Sequence, residues 1–304
     1  MKEFQFTVPQ ELDDVRIDKC VSALMDSLSR SFIQKLIKDE NVLLNGKTVK
    51  AGSKVSVFDE LILYLPDAVE IDIKPENIPL DILYEDDSVL VVNKPKGMVV
   101  HPACGHYSGT LVNGVMYHCG NELSGINGVL RPGIVHRIDM DTTGSVIICK
   151  NDAAHNSIAA QLKDHSVNRE YRAICHGVIK EDELVIDKPI GRNSKDRKKM
   201  AVVPGGKQAV THVTVLERFE GFTYVKCVLE TGRTHQIRVH LSSIGHPLLG
   251  DELYSGYKSP YKLQGQCLHA YKLGFIHPVS GEYVETLAPL PEYFQHLLNT
   301  MKRL

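Results

Sequence analysis

The stretch "RPGIVHRIDMDTTGSVIICK", residues 131–150, places charged side chains between two apolar runs. Ile134 and Val135 precede the charged residues, and residues 146–149 have the composition of a short buried strand. The threonines and glycine at residues 142–144 favour a turn. The pattern predicts that Asp139 lies in a loop where two strands meet. An aspartate in such a loop usually binds only backbone amides, so this position alone does not indicate chemistry.

Composition narrows the class of protein before other motifs are considered. The 304 residues can form one full core and an additional small domain. Hydrophobic residues make up 43% and charged residues 24%, as in ordinary globular proteins. No apolar stretch approaches the roughly 18 residues of a membrane span, and the N-terminus lacks the apolar core of a signal peptide. We therefore expect a cytoplasmic protein that does not associate with membranes.

The cysteines and histidines give no sign of a metal site. Cysteine occurs 7 times without a C-x-x-C pair. His235, His240 and His246 lack the i, i+4 spacing of a helical zinc site, and we expect them to bond backbone or RNA phosphate. Neither G-x-G-x-x-G nor G-x-x-x-x-G-K-[ST] is present. The sequence thus predicts no metal and no nucleotide cofactor.

Basic residues concentrate near the N-terminus. Residues 16–54 contain eight Lys or Arg against four Asp or Glu, although the whole chain carries a net charge of −2. This local excess suggests contact with a polyanion. Apolar spacing predicts two short helices there, then a hairpin turn at Asn45 and Gly46 and a strand over residues 48–57. The cations that share a polar face of the second helix, where they could contact phosphates, are Arg30, Lys35 and Lys38.

Residues 15–64 resemble the small RNA-binding domain named after ribosomal small-subunit protein four, which implies structured RNA as a partner. We therefore assign residues 1–64 to that domain. Residues 65–80 carry three prolines without sustained periodicity, so they are assigned to a linker. Residues 81–304 form the larger domain, in which strands with only occasional helices predict an α+β fold with a mixed, largely antiparallel central sheet.

The stretch quoted first also carries a resemblance. "HRIDMDTTG" matches the H-R-L-D-x-x-T-[ST]-G signature of the RluA/RluD-type pseudouridine synthase family, with Ile138 in place of the usual leucine. Further segments follow in the family's order: "VVNKPKGMVVHP" (91–102), "VNREYRAICHG" (167–177), "KDRKKMAVV" (195–203) and "LETGRTHQIRVHLSSIGHPLLGDELY" (229–254). With the N-terminal domain, the resemblance covers nearly the whole chain.

The resemblance implies an isomerase without a cofactor. Such an enzyme breaks the bond between uracil and ribose, rotates the base, and rejoins it through carbon 5. Asp139 is then the catalytic aspartate, Arg238 its ion-pair partner, and Tyr171 a residue that stacks near the uracil or acts as a base. The carboxylate could attack the anomeric carbon, stabilise its charge, or remove a ribose proton. Arg137 is expected to help open the RNA or to take the place of the flipped base.

A second basic segment, residues 187–200, reads as a loop that contacts the RNA backbone. Its candidate RNA-binding residues are Arg192, Lys195, Arg197, Lys198 and Lys199. We expect large-subunit ribosomal RNA as the substrate and a monomeric protein. Transfer RNA remains an alternative substrate. A non-catalytic ribosome-assembly factor and a glycosidic hydrolase remain alternative functions, although a facing acid and a water-activating base for hydrolysis are not evident.

Overall fold

The structure, a computed structural model, describes residues 2–25, 28, 30–65, 73–102, 106–120, 122–126 and 132–304, with side chains for all of these except residues 2 and 30–32. The chain forms two compact units, Met1–Ile71 and Asp72–Leu304. None of the helices in these ranges is long and apolar enough to cross a membrane.

The N-terminal unit combines two helices with an antiparallel sheet of order β1-β4-β2-β3. Its elements are β1 (Lys2–Thr7), α1 (Ile17–Leu24), α2 (Arg30–Lys38), β2 (Val42–Leu44), β3 (Lys47–Thr48) and β4 (Glu60–Leu65). Ile17 and Cys20 of α1 and Ile33 of α2 are fully buried in the core of this unit. The two predicted helices are confirmed, because their apolar stripes form this core.

The predicted hairpin turn is present, but the strand after it, β3, ends at Thr48. Asn45 has φ 50° and Gly46 has φ 73°, the left-handed conformations that a two-residue hairpin turn requires. The prediction of a strand over residues 48–57 is wrong, because the amide of Ser53 donates to the carbonyl oxygen of Lys50 at 2.9 Å and closes a turn. The next strand of the sheet is β4.

The predicted RNA-binding cations of α2 are described in part. Lys35 and Lys38 are exposed. The side chain of Arg30 lies outside the described residues. Exposure leaves the two lysines available to a phosphate backbone, while their role stays a prediction.

The C-terminal unit is built around one large sheet. Its strands are β5 (Ile82–Glu85), β6 (Val89–Lys94), β7 (Thr143–Cys149), β8 (Asn168–His176), β9 (Glu183–Asp187), β10 (Ile190–Arg192), β11 (Met200–Val202), β12 (Val210–Phe219), β13 (Phe222–Leu229), β14 (Leu268–Ile276) and β15 (Tyr283–Leu287). Its helices are α3 (Leu111–Cys119), α4 (Asp152–Lys163), α5 (Gln236–Ser243) and α6 (Glu292–Thr300). Strands β10 and β11 form a separate hairpin.

The large sheet has the order β5-β6-β7-β14-β8-β13-β12-β9, and β15 pairs with β14. Its pairs are antiparallel except for β7 and β14. This topology confirms the predicted α+β fold with a mixed, largely antiparallel sheet. Turns that reverse the chain join β5 to β6, β12 to β13 and β14 to β15, whereas the other neighbouring strands are joined by longer connections.

The parallel pair places the signature stretch at the middle of the sheet. Only Thr143 and Gly144 of β7 pair in register with β14, opposite His269 and Ala270. Gly144 has φ 108°, and a Cβ there would collide with the backbone of Ala270. The glycine that ends the signature is therefore required for the close approach of two strands. The loop containing Asp139 ends directly at this contact.

Residues 73–80, which the sequence places in a linker, lie against the C-terminal unit. Asn113 of α3 donates through Nδ2 to the carbonyl oxygen of Lys74 at 2.9 Å. The carboxylate of Glu76 accepts the amide of Gly109. A Cβ at Gly114 would lie 3.1 Å from the side chain of Leu80, which shows how closely this segment packs on α3.

Candidate active site

Asp139 lies in the loop that precedes β7. The amide of Thr142 donates to its carbonyl oxygen at 3.1 Å, which forms a turn. The turn directs the carboxylate of Asp139 toward Arg238 and that of Asp141 toward Gly265. The two neighbouring acids therefore contact different parts of the structure.

Arg238 holds two carboxylates with one guanidinium group. Its Nη1 donates to Asp139 Oδ2 at 2.8 Å. Its Nε and Nη2 donate to Asp251 Oδ2 and Oδ1 at 2.7 and 2.9 Å. The side chain is nearly buried, and these hydrogen bonds raise the pKa of the guanidinium further. The ion pair expected between Arg238 and Asp139 is present, and the rigid fork to Asp251 fixes the direction from which Nη1 approaches it.

The sequence analysis did not identify Asp251. This residue is 1% exposed, and its Oδ1 also accepts the amides of Leu253 and Tyr254. It follows the apolar stretch Pro247, Leu248 and Leu249. A buried acid needs a cationic or hydrogen-bonding partner. The position of Asp251 after a buried apolar segment is therefore the sequence feature that could have identified it.

His235 and Tyr254 form a second link to Asp139. His235 precedes α5 with φ 57°, an uncommon conformation for a residue other than glycine. Its Nδ1 lies 2.7 Å from Tyr254 Oη, and its Nε2 lies 3.7 Å from Asp139 Oδ1. Burial lowers the pKa of His235, although Asp139 opposes this. A neutral ring with its proton on Nε2 would present that proton to Asp139 while Tyr254 donates to Nδ1.

The other two histidines meet the expectation of backbone contacts. His240 Nε2 lies 3.0 Å from the carbonyl oxygen of Lys188, and His246 Nδ1 lies 2.9 Å from that of His176. His235 contacts the hydroxyl of Tyr254 and not a backbone group, and its expected contact with RNA phosphate stays a prediction. Among the described residues, no group of three or more His, Cys, Asp or Glu is arranged to hold a metal ion.

A cavity of about 370 Å³, here called the site pocket, lies beside Asp139. Tyr171, Arg238, Arg137 and Leu229 also line it. This volume includes space that is open to solvent. Arg137 is exposed, so its side chain is free to meet a ligand at the mouth of the pocket. The three residues predicted as catalytic are thus brought together.

Tyr171 contributes its ring to the site pocket from the middle of the sheet. It pairs with Cys227 of β13 and Ala270 of β14, and it is 9% exposed. Burial raises the pKa of its hydroxyl, and the positive charge of Arg169 opposes the shift. The phenol therefore keeps its proton at neutral pH. This state suits a ring that packs on a base and a hydroxyl that donates a hydrogen bond.

Lys94 stabilises the loop that contains Asp139. It is fully buried at the end of β6, and its Nζ donates to the carbonyl oxygens of Pro95, Met98 and Met140 at 2.8, 2.8 and 2.9 Å. Three acceptors match the three protons of an ammonium group. Burial lowers the pKa of Lys94 to about 7, against the pull of Asp141 and Asp139. The bond to Met140 fastens the residue next to Asp139.

The predicted basic loop is a β-hairpin, residues 190–202, here called the basic hairpin. Asn193 Oδ1 shapes its turn by accepting the amides of Lys195 and Asp196. Four of its predicted RNA-binding residues are exposed, namely Arg192, Lys195, Arg197 and Lys198. The fifth, Lys199, is partly buried. The amide of Met200 donates to Tyr254 Oη at 2.9 Å. The hairpin is thus attached to the residue that contacts His235.

Comparison with known families gives two matches. Residues 88–243 match the RNA pseudouridylate synthase family, and residues 15–61 match the S4 domain. The first match contains the signature stretch, Tyr171 and Arg238.

Curated relatives match along the whole chain. An uncharacterised RNA pseudouridine synthase of Bacillus subtilis is 52% identical over 303 residues, covering 100% of this chain and 99% of the relative. The ribosomal large subunit pseudouridine synthase D of Zymomonas mobilis is 45% identical and covers 98% and 97% of the two chains.

A solved structure, that of human RNA pseudouridylate synthase domain containing 1, is similar with a TM-score of 0.60 and 27% identity, and covers 79% of this chain and 92% of the human one. Family match, relatives and fold agree with the arrangement around Asp139. The chain belongs to the RNA pseudouridylate synthase family and is an RNA pseudouridine synthase, an isomerase, with an N-terminal S4 domain.

Proposed function

We propose that this enzyme isomerises uridines in large-subunit ribosomal RNA and that Asp139 is its catalytic carboxylate. The observation that carries the proposal is the contact of Asp139 with Arg238 beside the site pocket. The ribosomal substrate is supported by the name of the relative from Zymomonas mobilis, and by similarly named relatives from Neisseria meningitidis and Pseudomonas aeruginosa at 44% and 42% identity. The enzyme acts as a cytoplasmic monomer.

Each residue of the site has a separate role in the reaction. Asp139 faces the sugar of a uridine that has left its stack, because only an extruded nucleotide reaches such a pocket. Arg238 orients the carboxylate, and Asp251 keeps Arg238 in place. Tyr171 packs against the uracil while the base rotates. Arg137, at the pocket mouth, takes the space that the uridine leaves in the RNA.

The chemistry requires that the uracil stays bound after the bond to ribose breaks. A half-buried carboxylate beside the sugar can attack the anomeric carbon, stabilise its developing positive charge, or remove a ribose proton. Each route ends with loss of the proton from carbon 5 of the uracil and bond formation at that carbon. Water must be kept out, since its attack on the sugar would release free uracil.

The cationic surfaces bind the RNA. Lys35 and Lys38 of the S4 domain, with Arg30 of the same helix, contact its backbone. The basic hairpin contributes Arg192, Lys195, Arg197, Lys198 and Lys199. Such contacts add affinity that falls with salt and position the substrate without reading its sequence.

The test uses three RNAs transcribed with uridine tritiated at carbon 5: large-subunit ribosomal RNA, small-subunit ribosomal RNA and transfer RNA. Tritium release into water reports isomerisation, and chromatography reports any free uracil. We expect release from the large-subunit RNA alone, without free uracil.

Release from transfer RNA alone would overturn the substrate assignment. Free uracil as the main product would indicate a hydrolase. Tight binding to ribosomal RNA without release of either product would indicate an assembly factor.

A further inference from the structure

A second cavity, here called the basic groove, opens beside the site pocket. It has a volume of about 1170 Å³ including space open to solvent, and both cavities are lined by Arg137, Tyr171, Leu229 and Arg233. The two are therefore adjacent. Its further charged or titratable lining residues are His136, Lys163, His165 and Arg169, and neither Asp nor Glu lines it.

The arginines of the described chain fall into two groups. Those with a carboxylate at ion-pair distance are Arg16, Arg172, Arg218, Arg238 and Arg303. Those for which the described residues supply no such carboxylate are Arg137, Arg169, Arg192, Arg197 and Arg233. Every member of the second group lies in the basic groove or the basic hairpin. Among the arginines whose side chains are described, those without a carboxylate partner are thus confined to these two surfaces.

Two of these cations interact inside the groove. Burial lowers the pKa of Arg169, Tyr171 opposes this shift, and the positive charge of Arg233 adds to it. Holding like charges near each other in a partly dry cavity costs free energy, and a bound anion would recover it. Within the protein, Arg169 Nη2 has the carbonyl oxygen of Glu230 at 3.3 Å, and Arg233 Nε has that of Gln208 at 2.9 Å. Neutral acceptors of this kind leave the net charge of the groove in place.

Gly232 brings the charge of Arg169 up to the groove. A Cβ at Gly232 would lie 2.5 Å from Arg169 Nη1, so the guanidinium sits directly against this glycine. Arg169 is 7% exposed, and its Nε is buried without a hydrogen-bond partner in the described part of the chain. The buried Arg169 therefore raises the positive potential of the basic groove without contacting a ligand, while the more accessible Lys163 and Arg233 can contact a ligand directly.

We propose that the basic groove binds the backbone phosphates of the RNA strand that flanks the extruded uridine. The proposal rests on the proposed function, which places that uridine in the site pocket. The groove is too large for one phosphate, and its aromatic residue, Tyr171, is shared with the pocket, so backbone binding fits it better than a row of stacked bases. Extrusion costs unstacking energy, and phosphate contacts next to the extruded nucleotide offset it.

The test measures the salt dependence of RNA binding with the full chain. The probes are a fluorescent oligouridylate of about 12 nucleotides and the same oligomer with neutral methylphosphonate linkages. Each single-strand phosphate contact contributes about 0.7 to the slope of log affinity against log salt. Lys163→Gln should therefore lower the slope by about 0.7, and Lys163→Gln/Arg233→Gln by about 1.4. The double variant should also lose most of the native preference for the charged oligomer over the neutral one.

Matched variants separate charge from structure. Lys163→Arg keeps the charge and should keep the native slope. Lys180→Gln removes an exposed lysine beyond the far end of β8 and should leave the slope unchanged. Gly232→Ala, which pushes Arg169 aside, should weaken binding about threefold without changing the folded state by circular dichroism.

An unchanged slope in the double variant, with native folding, would overturn the proposal. So would an equal loss in Lys180→Gln. Tritium release from large-subunit RNA is followed in parallel with native protein. Failure of native release would refute the proposed function, whereas native release together with an unchanged slope would refute only the groove.

Discussion

The site network and the basic groove use arginine in opposite ways. Arg238 is surrounded by the carboxylates of Asp139 and Asp251, so its charge is neutralised within the protein. Arg233 and Arg137, at the mouth of the same pocket, have no carboxylate partner among the described residues. A fixed, neutralised network orients a reacting group, whereas unneutralised cations are available to bind a polyanion. Variants in the neutralised network should therefore lower kcat, whereas variants of the unpaired cations should weaken RNA binding.

Among the residues that support Asp139, the largest effect should come from replacing the guanidinium group of Arg238. Arg238→Lys keeps one positive charge but cannot donate to Asp139 and both oxygens of Asp251 in the same geometry. If the loss of transition-state stabilisation is about 3–4 kcal/mol, in the lower part of the range for breaking a buried ion pair, kcat for tritium release should fall about 100- to 1000-fold. Arg218→Lys, which alters a pair with the exposed Asp182, is the control and should change kcat less than twofold. Equal behaviour of the two variants would show that the buried network has no special role.

Asp251→Asn should have the next largest effect. Asparagine retains an oxygen for the amides of Leu253 and Tyr254 but loses the charge that fixes Arg238. We expect kcat to fall about 10- to 100-fold, with little change in RNA affinity, because Asp251 does not line either cavity. A fall in affinity with native kcat would contradict its assignment to the network.

His136 lines the basic groove without adding charge to it. Its Nε2 accepts the amide of Ile147 at 3.0 Å, and burial, with a contribution from Arg169, lowers its pKa to about 3 from an ordinary 6.5. The unfolded chain binds this proton below pH 6.5 and the folded chain does not, so stability is lost as pH falls. Native protein should lose about 2 kcal/mol more than His136→Gln between pH 7 and pH 5. Denaturant titrations measure this loss. If native protein and His136→Gln lost equal stability between pH 7 and pH 5, the imidazole of His136 would be protonated in the folded state as well, which would contradict the prediction.

The smallest effect should come from the basic hairpin. Lys195→Gln/Lys198→Gln removes two exposed cations that contact only substrate in this account. The KM for RNA should rise about threefold to tenfold, and the rise should shrink as salt is increased. Glu183→Gln/Glu252→Gln, a change of two exposed side chains of opposite charge, is the control. A loss in kcat as large as that of Arg238→Lys would mean that the hairpin takes part in the chemistry.

Local patterns predicted the elements well where the apolar period was clear. The strand predicted at residues 146–149 is present, as are the two helices predicted in the N-terminal unit. The strand over residues 48–57 failed because the turn around Gly52 interrupts it. Short polar segments lack a period strong enough to separate a strand from successive turns.

The sequence also identified the partners at the centre of the site but not their supports. The family resemblance implied Asp139 and Arg238 as an ion pair, and the structure places Arg238 Nη1 2.8 Å from Asp139 Oδ2. Asp251 and Lys94 were missed. Lys94 stands at the end of a strand, where a lysine is normally exposed, and its burial depends on the carbonyl of Met140 far along the chain. Such contacts arise from the tertiary fold and leave no periodic mark in the sequence.

The most direct test compares Asp139→Asn with Asp141→Asn. Both changes preserve side-chain size, and the two residues lie in the same turn with different contacts. Single-turnover tritium release from large-subunit ribosomal RNA is measured for both, with thermal unfolding to verify that each is folded. The account predicts at least about a 1000-fold loss for Asp139→Asn and less than about a tenfold loss for Asp141→Asn. Near-native release by folded Asp139→Asn, or an equal loss in folded Asp141→Asn, would contradict the assignment of Asp139 as the catalytic carboxylate.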